Sequence, residues 1–125
     1  MPSDPRHHLG RLGERLAEEH FARLGFRALD RNHRTRFGEL DLVLFDGRTL
    51  VFAEVKTRRA DARSEGAPWE GLHERKRRQV RRMARAYLVE RPGRPVAAEI
   101  RFDAVGVLID ARGRLARLDH LEAAF

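Results

Sequence analysis

The chain has 125 residues, 42% hydrophobic and 36% charged, and no cysteine. That fits one domain spanning residues 1–125 with a real core, and it excludes wholesale disorder, disulfides, thiolate zinc sites and a cysteine nucleophile. Lys and Arg total 26 against 19 Asp and Glu, a net charge of +7, which suits either a polyanionic partner, nucleic acid first, or simply an Arg-rich soluble surface.

No apolar run approaches the ~20 residues a membrane span needs. The opening MPSDPRHHLGRLGE lacks a secretory apolar segment. The expectation is a cytoplasmic protein with no membrane partner. Along the chain, Leu9, Leu12, Leu16, His20 and Leu24 recur at helical spacing and predict a first helix over 8–24, with Gly25 as its C-cap. FRALDRNHR reads as a short strand, and 34–38 as a polar turn. The stretches 40–45 and 50–55 read as strands joined at Asp46-Gly47, a hairpin signal. TRRADARSEGAPWEG has no periodicity and reads as a loop. A second helix is expected over 70–89, with Val80, Met83, Ala84, Tyr87 and Leu88 as its apolar stripe. Strands over 100–109 and 114–118 and a short terminal helix complete the order. The expected class is mixed α/β, α-β-β-β-α-β-β, with about five strands flanked by helices.

The hairpin carries charges in an apolar setting. Asp41 opens the strand LDLVLF, and Glu54 and Lys56 close its partner LVFAEVK. A two-residue turn places Asp41 opposite Phe52, and a loop of four residues, 46–49, places it opposite Glu54. Both registers set Asp41, Glu54 and Lys56 on one face; only a three-residue loop or a bulge would split them. Two carboxylates about 5 Å apart repel by about 3 kcal/mol at an effective dielectric near 20. A divalent cation between them reverses the sign, and carboxylate oxygens suit Mg²⁺ or Mn²⁺. The competing reading is a Glu54–Lys56 salt bridge with Asp41 facing solvent. Acid-x-Lys alone is common in so charged a chain; an acid opening one apolar strand and acid-x-Lys closing the next favours the cation.

This pattern resembles the PD-(D/E)xK superfamily of restriction-endonuclease-like nucleases. It is most similar to the YraN family of small bacterial proteins, and also to Holliday-junction resolvases. The resemblance runs through LGRLGERLAEEH, RNHR, GELDLV, LVFAEVKTR, the 76–88 helix and IRFDAV. Leu40 stands where the superfamily's name places Pro. The resemblance implies a restriction-endonuclease-like core, with metal held by Asp41, Glu54 and the Val55 carbonyl. It implies that Lys56 positions the attacking water. Glu14 falls where resolvase-like members place a first-helix acid, against the alternative of a surface Glu. Glu39 matches Gly-Glu-hydrophobic-Asp and faces the site or is a strand-edge charge.

Lys76 projects from the middle of the second helix's apolar stripe, with Gln79 at its edge. A core-side Lys either meets an anion or snorkels to solvent; superfamily members often use a Lys or Gln here. Arg58, Arg59 and Arg63 follow the catalytic strand and are placed for substrate contact. Arg78, Arg81, Arg82 and Arg85 form a guanidinium stripe that reads first as a solvated face. Trp69 either stacks on a base or covers the core. Arg101 and Asp103 read as a structural pair, and Asn32 as a turn residue. The expectation is a Mg²⁺- or Mn²⁺-dependent endonuclease acting on DNA, branched or structured. The alternative is a non-catalytic nucleic-acid-binding module of the same fold. Cutting two strands at once would need a second site, hence a homodimer.

Overall fold

The computed structural model describes residues 5–60 and 74–125. Its elements run α1 (Pro5–Arg23), β1 (Arg27–Thr35), β2 (Gly38–Phe45), β3 (Thr49–Arg59), α2 (Glu74–Glu90), β4 (Glu99–Ile109) and β5 (Leu115–Leu121). One five-stranded sheet is ordered β1-β2-β3-β4-β5. Neighbours are antiparallel except β3 and β4, which are parallel and joined through α2. Among the described residues no helix is long and apolar enough to cross a membrane.

The sheet is covered on both faces. On one, Ala17 and Phe21 of α1 pack on Leu42, Leu44, Val51, Ala53, Val105 and Val107. On the other, Val80, Met83, Ala84 and Tyr87 of α2 pack on Val43, Phe45, Leu50 and Phe52. Two-sided burial explains why β2 and β3 read as nearly continuous apolar runs rather than alternating ones.

α1 ends where the sequence places its end. Gly25 has φ 93°, the Phe26 N–H bonds the Phe21 carbonyl at 3.0 Å, and the Gly25 N–H bonds that of Ala22 at 3.1 Å. The Phe21 and Phe26 rings meet at 5.5 Å, which completes a Schellman cap. Leu24 is not on the buried stripe: it lies past the helix and is 51% exposed.

Three other expectations are corrected. β3 does not stop at Val55. It continues to Arg59 because residues 49–59 pair one for one with 99–109 of β4, so the ladder carries polar residues that their own pattern would not. The polar turn shrinks to Arg36-Phe37, since Arg34 and Thr35 still pair with Glu39 and Gly38. The terminal helix is absent: β5 runs to Leu121, a turn follows, and Phe125 tucks into the α2-side core. The expected start of the second helix at 70 falls partly outside the described residues, as does most of the loop before it.

Asp103 on β4 is fully buried. Arg101 donates to it at 2.9 and 2.8 Å, His120 of β5 lies at 2.7 Å, and His20 of α1 meets His120 at 2.9 Å. Burial alone would raise this carboxyl; the bonds from His120, Arg101 and the Ala123 amide outweigh it and hold it below the usual range. The pair expected from sequence is thus part of a chain linking the far end of α1 to β4 and β5.

At its middle α1 lies hard against β3. A Cβ on Gly13 would sit 1.7 Å from Thr57 Oγ1 and 2.8 Å from Thr57 Cβ, so no Thr57 rotamer relieves the clash. Gly10, one turn earlier, has nothing within 4 Å. Gly13→Ala should therefore destabilise the fold by about 1–3 kcal/mol. That outweighs the ~1 kcal/mol by which Ala exceeds Gly as a helix former. Gly10→Ala should stabilise by about 0.5–1 kcal/mol. Urea unfolding of the two variants beside wild type measures both, and the opposite order would contradict the close packing.

Candidate metal centre at a fork in the sheet

The β2–β3 hairpin takes the four-residue-loop register. Phe45 pairs with Leu50, and the ladder runs to Leu42↔Ala53 and stops. Asp46 Oδ1 accepts from the Arg48 and Thr49 N–H groups at 2.9 and 2.6 Å, which fixes the loop. Beyond the last pair the strands part. The first residues of β2 pair only with β1, and residues 54–59 of β3 pair only with β4. The sheet forks there, and its acids stand at the fork.

Asp41 is one step past the last β2–β3 pair. Its Oδ2 accepts the Val55 N–H at 2.8 Å, a side-chain bond in place of the next rung. Leu40 packs on the α2 side and Leu42 on the α1 side, although residues two apart normally share a face. The strand rotates through Asp41. That rotation lets one carboxylate sit beside acids from both layers.

On the α1 side, carboxylate oxygens of Glu14, Glu39 and Asp41 lie within 4.8 Å of one another, close enough to share one ion. Glu14 is therefore a member of the cluster rather than a plain surface acid, and so is Glu39. Asn32 joins them: its Nδ2 donates to Glu14 Oε1 at 3.0 Å and to Glu39 Oε1 at 2.9 Å. Asn32 has φ 50°, in the left-handed region that Asn tolerates better than most residues. Sequence reading assigned Asn32 to a turn; the signal it carried was an Asn within an extended run, opposite an acid. Arg11 and Arg34 approach Glu14 and Glu39 from outside at 3.4 and 3.8 Å. A surface hollow of about 340 Å³ lined by His7, Gly10, Arg11, Glu14, Arg34 and Glu39 opens on these acids.

On the α2 side stands Glu54. Its side chain is 9% exposed, and Lys76 Nζ of α2 lies 3.4 Å from its Oε2. The anion expected for Lys76 is this one. Its Oε1 is buried with no hydrogen-bond partner among the described residues. Burial raises the Glu54 pKa, against the pull of Lys76. Asp41 is pushed up to about 8, by burial first and the Glu54 charge second; the Val55 N–H opposes this, and Glu14 and Glu39 add to it. The cluster thus has two lobes that share Asp41: the Glu14–Glu39–Asp41 triad and the Asp41–Glu54 pair.

Lys56 lies two residues beyond Glu54 on the same strand face. It is exposed and has no carboxylate partner among the described residues. A Glu54–Lys56 salt bridge is not formed; Lys76 takes that place. Val55 meets the cluster through its N–H. Arg58 and Arg59 lie on the far end of β3, without an ion pair among the described residues. Gln79 does not join the acids: its Nε2 donates to the Phe37 carbonyl at 3.0 Å. Arg63 and Trp69 lie outside the described residues.

The donor set fits a hard divalent cation. All the side-chain ligands are carboxylates, one buried oxygen has no partner among the described residues, and burial raises the pKa of both Asp41 and Glu54, a cost that a cation would offset.

A helix, a three-stranded antiparallel meander carrying acids where it forks, a second helix and a strand parallel to the third define an α/β protein with a restriction-endonuclease-like core. Residues 13–107 match the family described as "Uncharacterised protein family UPF0102". A UPF0102 protein of Pelotomaculum thermopropionicum is 43% identical over 98% of this chain and 99% of its own. One from Chlorobium limicola is 41% identical over 100% and 96%, and one from Frankia alni 46% over 94% and 93%. The chain belongs to the UPF0102 family, the group its sequence resembles under the name YraN.

Folding raises the Asp41 pKa from 3.8 to about 8, so the native chain binds more protons than the unfolded one between those pH values. Stability contributed by this group is therefore full below the unfolded pKa and is lost as pH rises to about 8. Without divalent ions, Asp41→Asn should melt above wild type at pH 8, with the difference shrinking toward pH 4. Mn²⁺ should raise the wild-type Tm more at pH 8 than at pH 6, because the ion displaces a proton. In Asp41→Asn the Mn²⁺ effect should vanish. Differential scanning fluorimetry across pH tests all three; a less stable Asp41→Asn at pH 8 would contradict the charge analysis.

Proposed function

We propose that this UPF0102 protein is a metal-dependent endonuclease that hydrolyses phosphodiester bonds in DNA, with branched or structured DNA as its substrate class. The observation that carries the reading is the convergence of four carboxylates at the fork, Glu14 and Glu39 on one side of Asp41 and buried Glu54 on the other, where burial raises the pKa of both Asp41 and Glu54. Asp41 and Glu54 would hold Mg²⁺ or Mn²⁺, with the Val55 carbonyl as a third ligand and Glu14 and Glu39 supplying further oxygens. Once bound, such an ion acts as a Lewis acid on a phosphoryl oxygen and lowers the pKa of water.

The chain's own groups have separate tasks. Lys76 keeps Glu54 ionised and oriented. Asn32 bridges Glu14 and Glu39 with its amide N–H groups and holds both toward Asp41. Lys56, unpaired and adjacent, orients the attacking water and offsets charge as it builds on the phosphoryl oxygens. Arg58 and Arg59 neutralise the backbone on the β3 side, a task Arg63, which lies outside the described residues, would share. The net charge of +7 supports a nucleic-acid partner. The compartment that suits this chemistry is the cytoplasm. One such centre cuts one strand, so paired cuts would take a homodimer.

The test is incubation of branched, single-stranded and duplex DNA with the protein, with and without Mn²⁺. Cleavage should need the ion. It should fall by roughly 10²–10⁴ in Asp41→Ala, Glu54→Ala and Lys56→Ala variants that still fold. Salt-sensitive binding with no cleavage of any substrate would reduce the protein to a nucleic-acid-binding module.

A further inference from the structure

The arginines of α2 do not form the single stripe their spacing suggests. Arg81 is used inside the fold: its guanidinium lies 4.8 Å from the Phe102 ring centroid, and its Nη2 donates to the Phe125 oxygen at 3.0 Å. Arg78 and Arg82 point elsewhere and join Arg75. Together with Phe37 and Gln79 they line a groove of about 550 Å³ between α2 and the β1–β2 turn. No carboxylate lines it among the described residues. Arg75, Arg78 and Arg82 are exposed and form no ion pair among the described residues.

Phe37 is the centre of this groove. Its ring is half-buried, with one side packed on the α2-side core. Arg36 and Arg82 carry their guanidinium carbons to 5.0 and 5.9 Å from its centroid. The turn that presents it is braced from several directions. Thr35 Oγ1 donates to the Gly38 carbonyl at 2.8 Å and accepts the Phe37 N–H at 3.1 Å. Gln79 holds the Phe37 carbonyl. Gly38 has φ 136°, and a Cβ there would meet Gln79 Nε2 at 2.9 Å and Met83 Sδ at 3.0 Å, so only glycine admits the Gln79 contact. A two-residue turn rarely needs this much support, and what the support fixes is one aromatic ring among four guanidinium groups.

We infer that this groove is a nucleic-acid subsite separate from the acidic centre, in which Phe37 stacks on an unpaired base while Arg36, Arg75, Arg78 and Arg82 hold the flanking phosphates. An aromatic face accepts any base, and guanidinium groups without carboxylate partners suit a polyanion and little else. Gln79, expected from sequence to touch nucleic acid, acts here as a positioning residue for the ring. The subsite rests on the nucleic-acid reading above and extends it. Phe37 stands in the turn just before β2, four residues from Asp41, which at ~3.3 Å per residue puts it at most about 13 Å away. The unpaired base would therefore lie within a few nucleotides of the phosphate at the acidic centre. A strand or junction with an open base there is the matching substrate class, in preference to continuous duplex.

The experiment is binding by full-length protein, without divalent ion so that no strand is cut, to a fluorescein-labelled single strand carrying 2-aminopurine and to a fully paired duplex. Wild type should bind the single strand more tightly and quench the 2-aminopurine. Phe37→Ala should lose the quench and weaken single-strand binding roughly tenfold, with duplex binding nearly unchanged; Phe37→Trp should restore both. The Arg75→Ala/Arg78→Ala/Arg82→Ala variant should lower the log–log salt slope by about 2, at ~0.7 per phosphate contact on single strands. Circular dichroism confirms that each variant is folded. An unchanged quench in Phe37→Ala, or an unchanged salt slope in the triple variant, overturns the subsite. Those results leave the acidic centre standing, whereas a wild-type protein that binds no nucleic acid removes both readings.

Discussion

The structure depends on the parting of β2 from β3. Up to Leu42 and Ala53 the two strands form an ordinary antiparallel ladder in a doubly covered sheet. Past that pair each strand keeps only its outer neighbour, and the space between them is filled by side chains. Asp41 stands there because it can do what the lost rung cannot: it satisfies the Val55 N–H and still has a free oxygen to turn inward. An apolar residue at 41 would leave that N–H without its acceptor.

Around this fork the helices are placed by rigid contacts at a distance from the acids. α1 is held at its middle by the close approach of Gly13 to Thr57 and near its C-terminal end by the His20–His120–Asp103 chain. Glu14, the residue after Gly13, is thereby delivered to the cluster by backbone packing rather than by its own attractions. α2 is seated by Met83, Tyr87 and Val80, and its exposed first turns bring Lys76 to Glu54. Tyr87 also donates to Asp30 of β1 at 2.8 Å, which ties the helix to the outer strand of the fork. The cost of gathering four acids is spread over contacts that ordinary core residues provide.

Much of this was legible in the chain itself. Element order, the Gly25 cap, the acids' shared position and the anion waiting for Lys76 follow from periodicity and from the rarity of charge in apolar strands. Other features were not. The rotation at Asp41 breaks the two-residue period on which face assignments rest, so the meeting of Glu14 and Glu39 with Asp41 could not be read from alternation. Asn32 looked like a turn residue because its one distinguishing property, a positive φ, has no periodic trace. The extension of β3 to Arg59 is imposed by β4, which is distant in sequence. Arg81 parted from its neighbours for an oxygen at Phe125 that no helical wheel displays. Local patterns report local physics, and each of these four was decided by a remote partner.

The loop Asp46–Thr49 works as a reading frame for everything downstream in β3. With an even count of loop residues, Glu54 looks toward α2; with an odd count, the whole strand would present its other set of side chains, and Leu50 and Phe52 would exchange layers with Val51 and Ala53. A single-residue insertion at this exposed tip, harmless in most hairpins, would scramble both cores at once. Length changes here should be tolerated only in pairs, so a short surface loop carries a constraint usually found in buried positions.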